Sequence, residues 1–473
     1  MRKMDMNQRE RHWLGLTRTE WLLALTVLVF VGLLVHPYRA QQASRYTLTA
    51  AVVERGTVVL DDYEHVLGRD KAVRDGHVYS DKAPGQPMFA VPFFALGKLV
   101  GVEDATTLRV NENLGLWWIT FWASALPGAA LAVMMYHRIR GLRCRGALMA
   151  TIATFAGTLL LPFSALLFGH VLAAALLYAS FLLMLEGLGT WRLAFSGAIA
   201  GFAVSVEYTA VLGVMVLVGY VFWRHGWAAW AWVAGGIPLG IAMAGYNWIA
   251  FGDPLTLSYQ YTAFNEVAES SRPVLGMFSS GTLENVFRLL FNGRGLLVAT
   301  PIIIVGVAGA IWRLSRGPKV EVLVALVMVA VYALLPILWA NPWGGDSPGP
   351  RYMLLSFPFL AVPIAGALAR WPRLTTFAAG LSILTMTTAT ITEPLLPRDT
   401  RNGLNTWLQE LMRGDVTDSL LTISVGDIGW LPHALLVALS FGFLLRSHLR
   451  ECRALEGEPL ASGRPTRTCP KPW

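Results

Sequence analysis

The sequence predicts an all-α polytopic membrane protein with about twelve transmembrane helices. Three observations predict it. The chain of 473 residues is 55% hydrophobic and only 14% charged, where soluble domains carry about 25% charged residues. Apolar stretches of about 18 or more residues recur along it, long enough to cross a bilayer core as helix. Its 18 Trp and 13 Tyr suit anchoring at membrane interfaces. A β-barrel is excluded, because barrel strands alternate apolar and polar residues. The net charge of +8 is explained by basic residues in short cytoplasmic loops, so no nucleic-acid partner is expected.

The first apolar segment, Trp21–Pro37, follows a basic N-terminus containing Arg2, Lys3, Arg9, Arg11 and Arg18. A cleaved signal peptide needs a short apolar core and a small-residue cleavage site. This segment is longer and ends in Val35-His36-Pro37-Tyr38, so it is expected to be a retained signal-anchor helix at about 20–38. A polar loop runs to about 108, with an apolar stretch at about 87–101 that is too short for a span and is expected to be interfacial or re-entrant. Helices 2 to 4 are expected at about 112–136, 146–162 and 165–186. Helices 5 to 7 follow at about 193–207, 209–223 and 228–250. Helices 8 to 11 are expected at about 295–312, 320–340, 352–369 and 374–392, and helix 12 at about 428–446.

The basic residues test this layout. Arg138, Arg140, Arg143 and Arg145 share one short loop, and Arg192 and Arg224 lie in the next two. Arg313, Arg316 and Lys319 follow, then Arg370 and Arg373, then Arg446 and Arg450. All fall on the side of the N-terminus, as the positive-inside rule requires for cytoplasmic loops. The expected organisation is a cytoplasmic N-terminus (1–19), a transmembrane domain (20–446) and a cytoplasmic disordered tail (447–473). Outer loops are expected at about 39–108, 252–293 and 393–427. Cys144, Cys452 and Cys469 all fall in cytoplasmic segments, where no disulfide framework is expected.

The first outer loop holds the densest ionisable cluster: Asp61-Asp62, then Asp81 and Lys82, followed by Ala83-Pro84-Gly85. Ser44–Arg55 reads as a short helix lying in the interface, with Gly56 as its C-cap. A carboxylate at the membrane surface can take a proton from an incoming hydroxyl, and an ammonium can hold a lipid phosphate as a point charge. An outer loop also carries charges simply to stay solvated. Glu207, at the outer end of helix 5, is either functional or a helix end paired with a neighbouring Arg. His170, near the start of helix 4, is either a sugar or phosphate contact or a structural residue. The aromatic run Leu257-Ser258-Tyr259-Gln260-Tyr261 suits either sugar stacking or an interfacial belt. Arg294, in Asn292-Gly293-Arg294-Gly295, opens helix 8 where backbone N–H groups favour an anion. Arg351 and Tyr352 end the turn Trp343–Pro350, whose Gly/Pro density forbids helix. Lys82 and Arg351, one from each half of the chain, fit a single phosphate site on the outer face.

These motifs resemble the GT-C membrane glycosyltransferases, and among them the family 39 type of protein O-mannosyltransferases and lipid A aminoarabinose transferases. Arg45-Tyr46 matches an Arg-Tyr surface helix after the first span. Tyr79-Ser80-Asp81-Lys82-Ala83-Pro84-Gly85 matches an acidic-Lys-Pro-Pro-like turn, and Pro350-Arg351-Tyr352 matches a Pro-Arg-Tyr opening a late span. The resemblance implies Lys82 as a lipid-phosphate ligand and Arg351 as a second phosphate or sugar contact. Relatives place an acid just before Arg-Tyr, where this chain has Gln41-Gln42-Ala43-Ser44. The base is therefore expected elsewhere, at Asp62 or Asp61, with Asp81 as a third candidate. The implied activity is inverting transfer of a sugar from a polyprenyl-phosphate donor to a glycan, lipid or protein acceptor at the extracytoplasmic face of a bacterial inner membrane. Asp61, Asp62 and Glu64 could hold a divalent cation, but the matched branch implies no metal and no cofactor. The competing class is a transporter or flippase of lipid-linked saccharides. It would need charges deep in several spans, and most spans here have none.

Overall fold

The computed structural model describes residues 15–101, 113–142, 144–185, 189–263, 283–314, 316, 319–339, 342–397, 400 and 402–457. The basic residues before 15, most of the second outer loop and the tail beyond 457 lie outside the described residues.

Each expected span meets a helix. In chain order the helices are α1 (Arg18–Val31), α2 (Ala40–Arg55), α3 (Gly85–Leu99), α4 (Leu114–Leu142), α5 (Cys144–Phe155), α6 (Gly169–Leu185), α7 (Thr190–Val206), α8 (Ala210–His225) and α9 (Ala229–Phe251). They continue as α10 (Leu283–Phe291), α11 (Pro301–Arg313), α12 (Lys319–Leu338), α13 (Arg351–Arg370), α14 (Pro372–Ile391), α15 (Gly403–Arg413) and α16 (Trp430–Gly457). Six helical stretches among the described residues are long and apolar enough to cross a membrane, and the one from Ala210 to Phe251 contains both α8 and α9. The protein is an all-α polytopic membrane protein.

Where boundaries depart from expectation, a proline or glycine explains the shift. Thr17 and Glu20 form a capping box that starts α1, and the chain leaves the helix at Gly32, before Pro37. Expected helix 3 ends at Phe155, and Gly157 and Pro162 turn the chain into the short helix Leu160–Ser164. Expected helix 8 begins at Pro301, since proline is tolerated in the first helical turn. The first ten residues of α13, Arg351–Leu360, wind as a tighter 3₁₀ helix containing Pro358. The expected surface helix starts four residues early, at Ala40, and ends at Gly56 in the left-handed conformation. The apolar stretch at 87–101 is α3, 15 residues long, or about 22 Å of helix.

Two expectations for the C-terminus change. Helix α16 continues to Gly457 and buries His448 and Cys452, so residues 447–457 are not a loose tail. Cys452 is also disulfide-bonded. The helix carries it back against the bundle, which its sequence position did not reveal.

The long polar loops meet at one end of the helices. Strand β1 (Leu34–Val35) pairs antiparallel with β4 (Asp418–Ser419), tying the first loop to the third. Strands β2 (Ala72–Arg74) and β3 (His77–Tyr79) form a hairpin, and Ala72 bridges to Thr262 of the second loop. Arg39 and Glu393 close the rim at 2.5 Å. The main apolar core runs through α4 to α14, and a second core under the loops centres on Tyr46, Tyr63, Phe94 and Phe251.

Candidate functional site

Five segments deliver charged side chains into one buried layer where these loops meet. Helix α2 presents Arg45 and, one turn earlier, Gln41, which lie on the same face by their four-residue spacing. The turn after β3 presents Asp81 and Lys82. Helix α6 presents His170 on its first turn. Glu207 sits at the break between α7 and α8, where its backbone turns extended and no longer continues the helix. Arg351 opens α13. Arg45, Asp81, Lys82, His170, Glu207 and Arg351 are each at most 6% exposed.

Close backbone approach sets this geometry. A Cβ on Gly85 would lie 2.4 Å from the Ser205 carbonyl carbon. Only glycine there lets α3 pack flush against the end of α7, two residues before Glu207. Gly344 has φ +75°, and a Cβ there would lie 2.6 Å from the Tyr352 ring and 3.1 Å from Arg351 Nε. The glycine turn thus wraps directly over Arg351. From α3, Gln86 Nε2 donates to Ala123 O at 3.1 Å and to Phe168 O at 3.0 Å. Ala123 lies in a π-bulge of α4 (Phe121–Ala125), which leaves backbone carbonyls free to accept. Gln86 thereby fixes the loop that carries Phe168 and His170.

Lys82 is heavily engaged. Its Nζ donates to Asp70 at 2.5 Å and to Asp81 at 2.7 Å. An ammonium has three donors, so one is left. Asp81 also accepts from Ser44 Oγ at 3.2 Å, and its backbone carbonyl accepts from Ser258 of the second loop at 2.9 Å. Burial pushes the Asp81 carboxyl above the usual carboxylate range, with Lys82 opposing and Asp70 reinforcing the rise. Burial works against the Lys82 charge, but Asp70 and Asp81 outweigh it and hold the ammonium above its ordinary value.

The other two cations are less committed. Arg45 lies 3.6 Å from Glu207 Oε2 and donates to the Gln41 carbonyl at 3.2 Å, and its Nε has no partner. Arg351 contacts the Gln41 amide at 3.4 Å, and its Nε also has no partner. With the Gln41 amide turned over, its oxygen accepts from both Arg351 terminal nitrogens at 3.0 and 3.2 Å. Arg351 has no carboxylate partner among the described residues. Both guanidinium groups sit over the Phe168 ring, at 5.4 and 5.9 Å from its centre. His170 Nδ1 lies 3.5 Å from Glu207 Oε2, beyond hydrogen-bond contact, and both ring nitrogens lack partners. Unpaired buried donors cost about 1–3 kcal/mol each. A cluster of them, around an arginine with no carboxylate partner among the described residues, suits an anion or a polar ligand chemically. Tyr352 and Tyr259 complete the wall. Burial, then Glu207, drives the Tyr259 hydroxyl well above its ordinary range.

Five sequence candidates lie outside the cluster. Asp61 takes the Val78 N–H at 2.7 Å and His77 Nδ1 at 2.7 Å. Asp62 pairs with Arg55 at 3.0 Å, with both side chains near half exposed. Glu64 pairs with Lys71. These carboxylates face solvent with basic partners of their own, so the geometry removes Asp61 and Asp62 from the buried charges. Among the described residues, no group of three or more His, Cys, Asp or Glu could hold a metal ion. Tyr46 is an interior residue, edge-on to Phe94 at 5.6 Å. Arg294 is fully buried, donates to the carbonyls of Ser347, Leu396 and Thr400, and lies over Trp343. It braces the turn that carries Arg351 and does not reach the cluster.

Three residues of the site escaped sequence reading. Gln41 was readable from its spacing to Arg45. Asp70 and Phe168 had no signal, since only the fold brings them to Lys82 and the arginines.

No family model matches the sequence, and no curated protein matches it. Among solved structures, the chain is similar to ArnT from Cupriavidus metallidurans bound to undecaprenyl phosphate, at 17% identity and TM-score 0.52. That match covers 93% of this chain and 79% of ArnT. The apo state of the same protein matches at 16% identity and TM-score 0.50, over 90% and 75% of the two chains. The chain shares the fold of that protein.

Proposed function

We propose that this chain is a membrane glycosyltransferase using a polyprenyl-phosphate sugar. The observation that carries the reading is the buried pair Arg45–Arg351 over Phe168, with both Nε atoms unpartnered and Arg351 lacking a carboxylate among the described residues. Such a pair suits a phosphate on which charge develops as the glycosidic bond breaks. Likeness of fold to a protein crystallised with undecaprenyl phosphate supports the same ligand class.

In this reading an acceptor hydroxyl attacks the anomeric carbon from the face opposite the phosphate. The new C–O bond forms as the bond to phosphate oxygen breaks, and the centre inverts. Polyprenyl phosphate leaves with the bonding electrons, held by Arg351, Arg45 and the remaining Lys82 N–H. The acceptor proton passes to a carboxylate. Asp81 is tied to Ser44 and Lys82, whereas Glu207 is held only loosely by Arg45 and His170. Glu207 is therefore assigned as the base, in place of Asp61 or Asp62. It also fills the need created by Gln41-Gln42-Ala43-Ser44, where the resembled family has an acid. The mechanism uses no metal. The acceptor is a cell-envelope hydroxyl, on the extracytoplasmic face of a bacterial inner membrane with both termini cytoplasmic. Residues 20–446 form the catalytic transmembrane unit.

The test is conversion of radiolabelled polyprenyl-phosphate sugars to polyprenyl phosphate, with envelope lipid extract as acceptor, by the reconstituted protein. Glu207→Gln and Arg351→Gln should each lose turnover about a hundredfold, and Asp62→Asn should keep it. Full activity in the first two variants would refute the mechanism. Movement of the donor across the bilayer with no bond cleaved would favour a flippase.

A further inference from the structure

The end of the bundle away from these loops carries a second built pocket. It lies between the start of α1 and the last turns of α16, has a volume of about 510 Å³, and is lined by Arg18, Thr19, Phe443, Arg446, Ser447 and Arg450 among others. The two helices are locked together there by Thr19 Oγ1 and Ser447 Oγ at 2.9 Å.

The charge at this pocket is one-sided. Glu451 lines it too, but Glu451 is ion-paired with Arg140. Glu20, buried beside it, is paired with His137 at 2.7 Å and lies 3.9 Å from Arg140. Arg18, Arg446 and Arg450 have no carboxylate partner among the described residues. Three exposed arginines thus line a pocket whose neighbouring carboxylates, Glu20 and Glu451, have His137 and Arg140 as partners of their own.

Below the pocket the same helices are apolar and exposed. On α1, Trp21 and Leu25 follow Arg18 at helical spacing and are 62% and 49% exposed. On α16, Leu436, Leu439 and Phe443 lead up to Arg446 and are 44%, 58% and 53% exposed. A ligand with its charge among the arginines would have its remaining length along lipid-facing helix. That is the anatomy of an amphiphile site, and basic pockets between transmembrane helices are of the kind that hold anionic lipid headgroups.

We infer that this pocket binds the phosphodiester headgroup of an anionic phospholipid, whose acyl chains lie along Trp21–Leu25 and Leu436–Phe443. The site is separate from the sugar-transfer site and does not depend on that reading. By clamping α1 to α16, the lipid ties the first helix to the last.

The experiment measures binding of dioleoyl phosphatidylglycerol and dioleoyl phosphatidylcholine to the purified full chain in detergent, by native mass spectrometry. Wild type should retain phosphatidylglycerol preferentially. Arg446→Gln with Arg450→Gln should weaken that binding about 25-fold, from roughly fivefold per basic side chain. Arg18→Gln alone, on the other helix, should weaken it about fivefold, and Arg370→Gln, a basic residue of another short loop, should leave it unchanged. Equal binding of the two lipids, an equal loss in Arg370→Gln, or no loss in either pocket variant would overturn the inference. Displacement of the lipid by inorganic phosphate at matching concentration would also overturn it, by showing a simple anion site.

Discussion

Arg294 and Arg351 look alike in sequence and differ in the structure. Each follows a glycine-rich turn, each stands where a span opens, and each is buried. Arg294 spends its donors on three backbone carbonyls of its own loops. Arg351 instead faces a side-chain amide that can turn over, with no carboxylate partner among the described residues. The first arrangement fixes its terminal nitrogens on backbone acceptors, and the second sets them against a single side-chain amide. What separates a brace from a proposed binding group is therefore the acceptors around it, which are set by residues far away in the chain.

Substitutions can break this contrast. The largest effect expected is on Arg351→Gln, where turnover falls about a hundredfold while the thermal midpoint barely moves. Arg294→Gln should do the opposite. Leaving buried carbonyls unsatisfied costs about 2–4 kcal/mol, read as a lower midpoint in thermal unfolding, with activity per folded molecule retained. Gly85→Ala sits between these cases. Its methyl would meet the Ser205–Val206 backbone at 2.4–2.5 Å, so overpacking of about 1–3 kcal/mol should come with lost activity, because Glu207 is displaced. Lys82 gives a pH test. Its folded value is raised above 10.5, so its stabilisation is full below that pH and disappears as pH climbs through the higher folded value. Wild type should lose stability there in alkaline melting curves, and Lys82→Met should not show that loss. The smallest effect is on Asp62→Asn. Its exposed pair with Arg55 is worth about 1 kcal/mol at most, and turnover should stay within about twofold of wild type; a larger fall would return the base to the first loop.

The spans were legible because apolar runs of bilayer length leave few alternatives, and their ends shift where Gly32, Pro162 or Pro301 redirects the chain and where the last helix runs on to Gly457. Helix α15 was missed inside a loop read only as polar. Its buried Trp407, flanked by Leu404, Leu408 and Leu411, carries a helical period that could have been read. The site was half legible. Arg45, Lys82 and Arg351 stood out by charge type and by motif. The proposed base did not, because counting acids favours Asp61-Asp62, and only the fold shows that these are half exposed and paired while Glu207 is buried beside His170. Burial of a charge is a property of long-range packing, and local composition does not encode it.

The most direct test of the central claim is equilibrium binding of undecaprenyl phosphate, compared with uncharged undecaprenol, to wild type, Arg351→Gln and Arg294→Gln. The account predicts that Arg351→Gln weakens phosphate-lipid binding at least tenfold and leaves undecaprenol unchanged, with Arg294→Gln binding both lipids like wild type once corrected for its folded fraction. Equal affinity of wild type and Arg351→Gln for undecaprenyl phosphate would contradict it.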